Sequence, residues 1–428
     1  MTAVRVARSR LAGEIRLPPS KSFLHRELIC RTLAGDWTWM ETECGVQSQD
    51  ISATKSCLEK IFFSADVNGG PVRLCCRESG STLRFLIPIV AALGRSAVFQ
   101  GQGRLPERPL GEYDRLLSGK GVSMSFPSGD RFLPLSMSGQ LCPGLFLLPG
   151  DVSSQFITGL LLALPLLPSD SVIRLTSPLE SESYVRMTVS VMEAFGVKIQ
   201  RQGDSFSVEG GQSYRKNTSF QSEADFSQAA FWLVLKYLGH DVEIENLPIS
   251  SVQGDSAVQS ILAGLHNRRS GRPVRESGMI RTVEEEGVSI VELDMSQIPD
   301  LAPVLSVAAA ATLGVTRFVR AGRLRIKECD RLSASCEMLA ALGIRVREER
   351  DSFTVFGMDI SADAPGFTPG IIRSHGDHRM VMAGAVAATC ADGVTAITDP
   401  CAVDKSYPFF FRDLRDVGGK VYGIDVGE

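Results

Sequence analysis

The sequence predicts an α/β protein assembled from a repeated unit and divided into two similar domains. Three observations lead there. One phrase recurs along the chain: an apolar helix ending in Gly, a short strand, a turn and a second strand. It reads Met192 to Ile199 followed by Asp204 to Val208, and is nearly copied as Met338 to Val346 followed by Asp351 to Val355. Weaker versions stand at Leu116 to Met124, with Arg131 to Met137 after it, and at Leu414 to Val421. The Gly fits a left-handed C-cap, and the alternation of β-branched and aromatic residues after it fits a hairpin.

The second observation is a set of helices that are apolar nearly all round: Ser154 to Leu167, Phe226 to Leu238, Leu301 to Leu313 and Arg379 to Ala391. Such helices read as buried. A unit pairing one of them with an amphipathic helix hides little surface alone, so several units must pack together. The third is a polar stretch, Gln212 to Ser222, rich in Ser and Gln and carrying Arg215 and Lys216, which precedes a fresh apolar helix. A boundary near Ser222 predicts domains at 18–222 and 223–428, the second joined by a strand from 1–17, with a ligand site expected in the cleft between them.

Composition narrows the classes. The 428 residues are 44% hydrophobic and 22% charged, with 40 Gly and 21 Pro dispersed. That is the make-up of a globular protein with large cores, and it excludes a disordered or collagen-like chain. A net charge of -4 and a pI near 5.9 deny the chain the global basic field that nucleic-acid binders use, so an anionic ligand must be met by a local cluster. The ten cysteines include no C-x-x-C, which predicts free thiols in a reducing compartment. No apolar run follows the arginines of Met1 to Arg10, and Leu301 to Val315 falls short of the roughly 20 residues a span needs. A cytoplasmic protein without membrane or nucleic-acid partners is expected.

The chemistry-bearing residues gather where helices begin. Pro18-Pro19-Ser20-Lys21-Ser22 follows a strand at Gly13 to Leu17, with Ser20 placed to cap a helix and Arg26 one turn from Ser22. Lys21 and Ser22 then lie at the positive end of the helix, a geometry that binds anions, although an ordinary capped helix with solvated charges explains the same residues. Glu78-Ser79-Gly80-Ser81-Thr82-Leu83-Arg84 and Asp151 to Phe156, with Ser153, Ser154 and Gln155, open two more helices, and simple capping accounts for each taken alone. Gly103 to Pro109 fixes Arg108 among prolines, as a binding loop or as a surface turn.

Farther on, Ile298-Pro299-Asp300 leads a carboxylate into a buried helix, where the dipole favours its charge. In Arg325-Ile-Lys327-Glu328-Cys329-Asp330-Arg331 the cations Lys327 and Arg331 are four apart. On a helix they would share a face, which is costly unless an anion lies between them or Glu328 and Asp330 pair with them. His375-Gly376-Asp377-His378-Arg379 enters the last apolar helix, and Asp404-Lys405 follows a late strand. His375, Asp377 and His378 are metal-ligand types, but Arg379 among them argues against a cation.

Taken in order, P-S-K-S-x-x-x-R, S-G-S-T-x-R, R-x-x-E-R-P, S-S-Q-F, I-P-D, R-x-K-E-x-D-R and D-H-R-M, with the late Lys405, resemble the enolpyruvyl transferases, and among them the group whose acceptor is shikimate 3-phosphate. The resemblance spans the whole chain. It implies an inside-out α/β barrel fold, two similar domains each of three repeated α/β units with buried helices. It also implies transfer of the enolpyruvyl group of phosphoenolpyruvate to the 5-hydroxyl of shikimate 3-phosphate in the pathway to chorismate, by a monomer that needs neither metal nor organic cofactor.

By resemblance, Lys21, Ser22, Arg26, Ser153, Ser154, Gln155, Ser181, Tyr184, Asp300, Arg323 and Lys327 hold shikimate 3-phosphate. Lys21, Gly80, Arg108, Gln155, Arg331, His378, Arg379 and Lys405 hold phosphoenolpyruvate. Asp300 is the expected general base, and Glu328, with Lys21 and Lys405, the expected proton-transfer group. Two phosphates and two carboxylates bring roughly five to six negative charges, which the cations of this set could balance.

The chain departs from the family habit at Glu78 and Arg323, where Asn is usual, and at Cys329, where Ser or Thr is usual. A related transferase acting on UDP-N-acetylglucosamine carries a cysteine in the loop that here runs from Gly101 to Pro109 without one. An RNA phosphate cyclase shares the repeated unit but is disfavoured by the acidic pI. A non-catalytic phosphoanion-binding scaffold of the same fold is the reading from another class.

Overall fold

The structure, a computed structural model, describes residues 3–41, 48–63, 70–127, 129, 131–360 and 366–423. The chain divides into two compact units, one made of Met1–Pro18 with Ala224–Glu428 and the other of Pro19–Glu223. Each has its own apolar core: the first draws on residues of 4–17 and 224–421, the second on residues of 23–214.

In chain order the elements begin with β1 (Ala3–Ala7) and β2 (Ala12–Ile15), which belong to the first unit. The second unit follows with α1 (Lys21–Leu33), α2 (Thr38–Glu41), α3 (Gln49–Phe63), β3 (Val72–Cys75), α4 (Gly80–Ala92), β4 (Ala97–Gln100), α5 (Gly111–Ser118), β5 (Val122–Ser125) and β6 (Leu135–Gly139). It closes with β7 (Leu145–Leu148), α6 (Ser154–Ala163), β8 (Ser171–Leu175), α7 (Glu182–Ala194), β9 (Ile199–Gln202) and β10 (Ser205–Val208). The chain then returns to the first unit through α8 (Phe226–Tyr237), β11 (Asp241–Ile244), α9 (Val258–Arg269), β12 (Ile280–Glu285), β13 (Val288–Asp294), α10 (Ala302–Ala310), β14 (Gly314–Val319), α11 (Arg331–Ala341), β15 (Arg345–Glu348) and β16 (Phe353–Gly357). Last come β17 (Ile371–Ile372), α12 (His378–Ala388), β18 (Val394–Thr398), α13 (Phe410–Asp416) and β19 (Lys420–Tyr422).

Four sheets share one design. A parallel pair is joined through a buried helix, as in β3-α4-β4, β7-α6-β8, β13-α10-β14 and β17-α12-β18, and the second strand of the pair adds an antiparallel hairpin. The orders are β3-β4-β6-β5, β7-β8-β10-β9, β13-β14-β16-β15 with β12 outside, and β17-β18-β1-β19. The repeat read at Met192 and Met338 is the stretch from amphipathic helix into hairpin, with Gly196 and Gly343 left-handed at φ +82° and +81° as the turn requires. Among the described residues, the version at Leu414 contains one strand, β19. Its hairpin partner is β1, from the other end of the chain, paired antiparallel with both β18 and β19. A fifth parallel pair, β2 with β11, flanks α8.

The buried helices are somewhat shorter than the apolar runs that predict them. Ser154 to Leu167 is helical to Ala163 and tightens to a 3-10 turn at Leu164–Leu166 around Pro165, which cannot donate to the helix ladder. Leu301 to Leu313 narrows to α10, entered by a 3-10 turn at Pro299–Leu301. The helix α4 carries Pro88 inside it, which leaves the Arg84 carbonyl without its usual donor four residues on. The Tyr113 hydroxyl donates to that carbonyl at 2.7 Å. Gly159 on α6 faces the same spot, where a Cβ would stand 2.3 Å from the Arg84 oxygen and from the Tyr113 hydroxyl. The glycine is therefore what lets α4 and α6 pack with Arg84 held between them.

Nine cysteines are described, all as free thiols, six of them buried; Cys44 lies outside the described residues. Among the described residues no helix is long and apolar enough to cross a membrane.

Candidate active site

Because each parallel pair runs strand, buried helix, strand, the N-terminus of the helix and the loop after the second strand open at the same edge of the sheet. That edge, beyond the carboxyl ends of parallel strands, is where α/β proteins place ligands. Gly80, Ser153, Asp300 and Arg379 stand at the starts of such helices, and Arg108, Ser181, Lys327 and Lys405 follow the second strands, whereas Lys21, Ser22 and Arg26 lie on α1, after β2.

In the second unit Lys21 and Ser22 open α1. Ser20 occupies the cap position, but its hydroxyl makes no capping bond and is buried without a hydrogen-bond partner among the described residues. Lys21 Nζ lies 2.8 Å from Asp50 Oδ2 in the first turn of α3. Arg26, expected at shikimate 3-phosphate, lies in the interior of the unit. It is 2% exposed, its guanidinium donating to Thr188 Oγ1 at 2.8 Å, the Tyr184 carbonyl at 3.0 Å and the Ser22 carbonyl at 2.6 Å. Burial brings it down to about 10, and the group supports the backbone of Ser22 and Tyr184 rather than a surface.

Gly80 is the first residue of α4, capped by Ser79. A Cβ there would lie 2.7 Å from Arg108 Nη1 and 3.0 Å from Arg84 Nη1, so a side chain at this position would push a guanidinium aside. Glu78 Oε1 would be 2.6 Å from a Cβ on Gly103, which has φ +55°; the departure at Glu78 is thus packed onto a glycine of the Arg108 loop. Ser153 caps α6 by accepting from Gln155 N at 3.3 Å, and Ser154 is buried behind it. Gln155 links to Arg84 Nη1 at 2.9 Å and to Ser81 Oγ at 3.0 Å. Ser181 heads α7 in the left-handed region, φ +53°, a strained conformation for a residue with a Cβ, with Tyr184 in the first turn after it.

In the first unit the charges converge on Asp300. Its carboxylate takes Arg331 Nη1 at 2.7 Å, Arg379 Nη2 at 3.3 Å and Lys327 Nζ at 3.4 Å. Lys327 and Arg331 share no helical face: Lys327 is extended, and α11 begins only at Arg331. The anion lying between these two cations is Asp300 itself. Arg331 is 1% exposed and also reaches Glu328 at 2.7 Å and Asp377 at 2.7 Å, which explains how a buried guanidinium is tolerated. Lys405, in the 3-10 turn after β18, stands 3.6 Å from Glu328. Arg323 Nη1 reaches the Ser296 carbonyl at 3.4 Å, close to Asp300 in sequence. His378, expected at the ligand, is 1% exposed inside the start of α12, its Nδ1 3.7 Å from Asp377.

Burial works to raise the Asp300 carboxyl, but Arg379, Lys327 and Arg331 outweigh it and hold it well below the usual carboxylate range. Burial pulls Lys327 down to about 8 despite Asp300 beside it. For Arg331 burial acts downward, and Asp377, Glu328 and Asp300 together reverse it. Two carboxylates, Asp300 and Glu328, and the four cations Lys327, Arg331, Arg379 and Lys405 are thus grouped on helix starts and adjoining turns.

Several participants escaped the sequence reading. Asp50 is one acid on an ordinary amphipathic helix, and only its pairing with Lys21 marks it. Arg84 and Asp377 lie inside motifs quoted above, yet their roles as clamps of Gln155 and Arg331 depend on contacts 71 and 46 residues apart along the chain. Asp377 also caps α12 by accepting from Arg379 N at 2.8 Å.

Comparison with known proteins identifies the family and the fold. Residues 6–414 match the family model described as EPSP synthase (3-phosphoshikimate 1-carboxyvinyltransferase). The chain is 39% identical over its full length to the full length of a 3-phosphoshikimate 1-carboxyvinyltransferase of Clostridium acetobutylicum, and 36% identical, again over both full lengths, to one of Clostridioides difficile. Among solved structures, an EPSP synthase from Acinetobacter baumannii shares the fold with a TM-score of 0.72 at 22% identity, covering 99% of this chain and 100% of that one. The enolpyruvyl transferase NikO from Streptomyces tendae does so at 0.69 and 16%, covering 98% of each chain. With a family model and full-length relatives in agreement, the chain belongs to the EPSP synthase (3-phosphoshikimate 1-carboxyvinyltransferase) family.

Proposed function

We propose that the protein transfers the enolpyruvyl group of phosphoenolpyruvate to the 5-hydroxyl of shikimate 3-phosphate and releases phosphate. The observation that carries the reading is the set of cations around Asp300, Arg331, Arg379 and Lys327, in a chain of net charge -4. Such a set suits polyanionic substrates, and it surrounds a group able to accept a proton.

In this reading the anions of the substrates draw the cations away from Asp300. Its proton affinity rises as they do, and it takes the proton of the 5-hydroxyl as that oxygen attacks C2 of the enol. Glu328 delivers a proton to C3, assisted by Lys405 at 3.6 Å, so that a tetrahedral ketal phosphate forms. Removal of a C3 proton by the same group then expels phosphate, whose charge Lys21 and Lys405 stabilise. Phosphoenolpyruvate is held by Lys21, Gly80 backbone, Arg108, Arg331, Arg379 and Lys405. Shikimate 3-phosphate is held by Ser22, Ser153, Ser154, Ser181, Tyr184, Arg323 and Lys327, with Gln155 shared. Arg26 and His378, both in the interior, act as supports.

The protein works as a cytoplasmic monomer on these small substrates, without a nucleic-acid or membrane partner. Phosphorus NMR of the protein with both substrates tests the reading: free phosphate and a new phosphomonoester should rise together, and either signal without the other contradicts it.

A further inference from the structure

Near their starts, α1, α3 and α4 are tied together by the buried side chains of His25, Thr54, Thr82 and Ser79. His25 Nδ1 lies 2.7 Å from Thr54 Oγ1, Thr54 Oγ1 lies 2.6 Å from Thr82 Oγ1, and the Thr82 hydroxyl donates to Ser79 Oγ at 2.7 Å. Ser79 also caps α4 by accepting from Thr82 N at 3.2 Å, and Gly80 follows it. Both threonine hydroxyls stand a longer 3.4 Å from the carbonyl of Asp50, whose carboxylate takes Lys21 Nζ at 2.8 Å.

The hydrogens available fix the direction of this chain, because a hydroxyl carries one. Thr82 spends its hydrogen on Ser79, so Thr54 is the donor in the contact between the two threonines. Thr54 then has none left for the ring, and His25 donates from Nδ1. Burial keeps the imidazole neutral, bringing it down to about 3, so Nε2 carries no proton. Nε2 is in fact buried without a hydrogen-bond partner among the described residues, where an unused acceptor is tolerated more readily than an unused donor. A half-broken polar network in an interior is costlier than an apolar one, so the four side chains hold a single arrangement.

We infer that His25, Thr54, Thr82 and Ser79 form a one-way hydrogen-bond relay of positioning residues, which sets the Gly80 end of α4 against the Lys21 end of α1 for phosphoenolpyruvate. The inference rests on Lys21 and Gly80 holding that substrate. The relay acts through them: Ser79 fixes the backbone that leads into Gly80, and the threonines meet the backbone of the residue that pairs with Lys21.

The wild-type protein tests the direction without turnover. Proton–nitrogen NMR of the histidine rings, with the His25 signals assigned by their loss in His25→Gln, should show Nδ1 protonated and Nε2 bare. A ring protonated at Nε2 reverses the chain and overturns the inference. Steady-state kinetics test the link to substrate. Thr82→Val keeps the shape and removes the hydroxyl; it should raise KM for phosphoenolpyruvate roughly fivefold, leave kcat and KM for shikimate 3-phosphate within about twofold, and be rescued by Thr82→Ser. A folded Thr82→Val with an unchanged KM for phosphoenolpyruvate, or with equal rises in both KM values, overturns the inference. If Thr82→Val does not fold, Thr54→Val cuts the same chain one link earlier, and the same split is expected and the same results overturn it. Gly80→Ala separates the two readings: an unchanged KM for phosphoenolpyruvate there removes the Gly80 contact, whereas a rise there with none in Thr82→Val removes only the relay.

Discussion

The Arg331 guanidinium and the Asp300 carboxylate meet at 2.7 Å, and that single contact joins the stability of the first unit to its chemistry. The same guanidinium neutralises Asp377, which is wholly buried, through a 2.7 Å bond. Arg331→Met would leave Asp377 uncompensated in the interior. A loss of about 3 to 5 kcal/mol in urea unfolding is expected, and a loss below about 1 kcal/mol would show that Asp377 finds another partner.

Asp300 presents a different balance. It pairs with Lys327, Arg331 and Arg379, so on the proposed mechanism Asp300→Asn removes the base and frees cations at once. Turnover should drop by roughly 10²- to 10⁴-fold, while KM for phosphoenolpyruvate stays level or falls. Steady-state kinetics showing an equal loss in binding would make Asp300 an anchor rather than a base.

Gly80 is defined by what it excludes. A methyl group there stands 2.7 Å from Arg108 Nη1 and 3.0 Å from Arg84 Nη1, distances that force at least one guanidinium to move. Gly80→Ala should raise KM for phosphoenolpyruvate about tenfold with a smaller change in kcat, the pattern of lost uniform binding. An unchanged KM would place Arg108 outside the phosphoenolpyruvate contacts.

His25 links pH to the stability of the second unit. Burial brings the imidazole down to about 3, with Asp50 opposing and Lys21 and Arg26 reinforcing the fall; Nδ1 pairs with Thr54 Oγ1 at 2.7 Å. The folded state therefore binds fewer protons than the unfolded state between about pH 3 and the ordinary histidine value of 6.5. Stability contributed by His25 is complete above that upper value and is lost as pH falls below it, by up to about 1.4 kcal/mol per pH unit. Urea unfolding from pH 7 to 5 should show this slope in the wild type and a shallower one in His25→Gln; equal slopes would assign the effect elsewhere.

Much of this architecture was legible before any coordinates. The helix-Gly-strand-turn-strand phrase exposed the repeat because a left-handed Gly and an alternating hairpin are local features that leave local traces. Most first strands of the parallel pairs left none: β3, β7 and β17 are only two to four residues long, too brief to carry a period. Nor could sequence reveal that β1 completes the hairpin of β19, since that pairing joins residues some 400 apart. Among site residues, Asp300, Lys327 and Arg331 were readable as charges at helix starts, but the geometry differs from the helical face that their spacing suggested. The partners Asp50 and Asp377 take their meaning only from contacts across the fold.

The central claim is that this site passes an enolpyruvyl group to shikimate 3-phosphate. Phosphate release from phosphoenolpyruvate by the purified protein, measured with shikimate 3-phosphate, with UDP-N-acetylglucosamine, and with each substrate omitted, tests it most directly. Release with shikimate 3-phosphate alone is the predicted result. Release with the nucleotide sugar, or none with either acceptor from folded protein, would contradict it and turn attention first to Glu78 and Arg323.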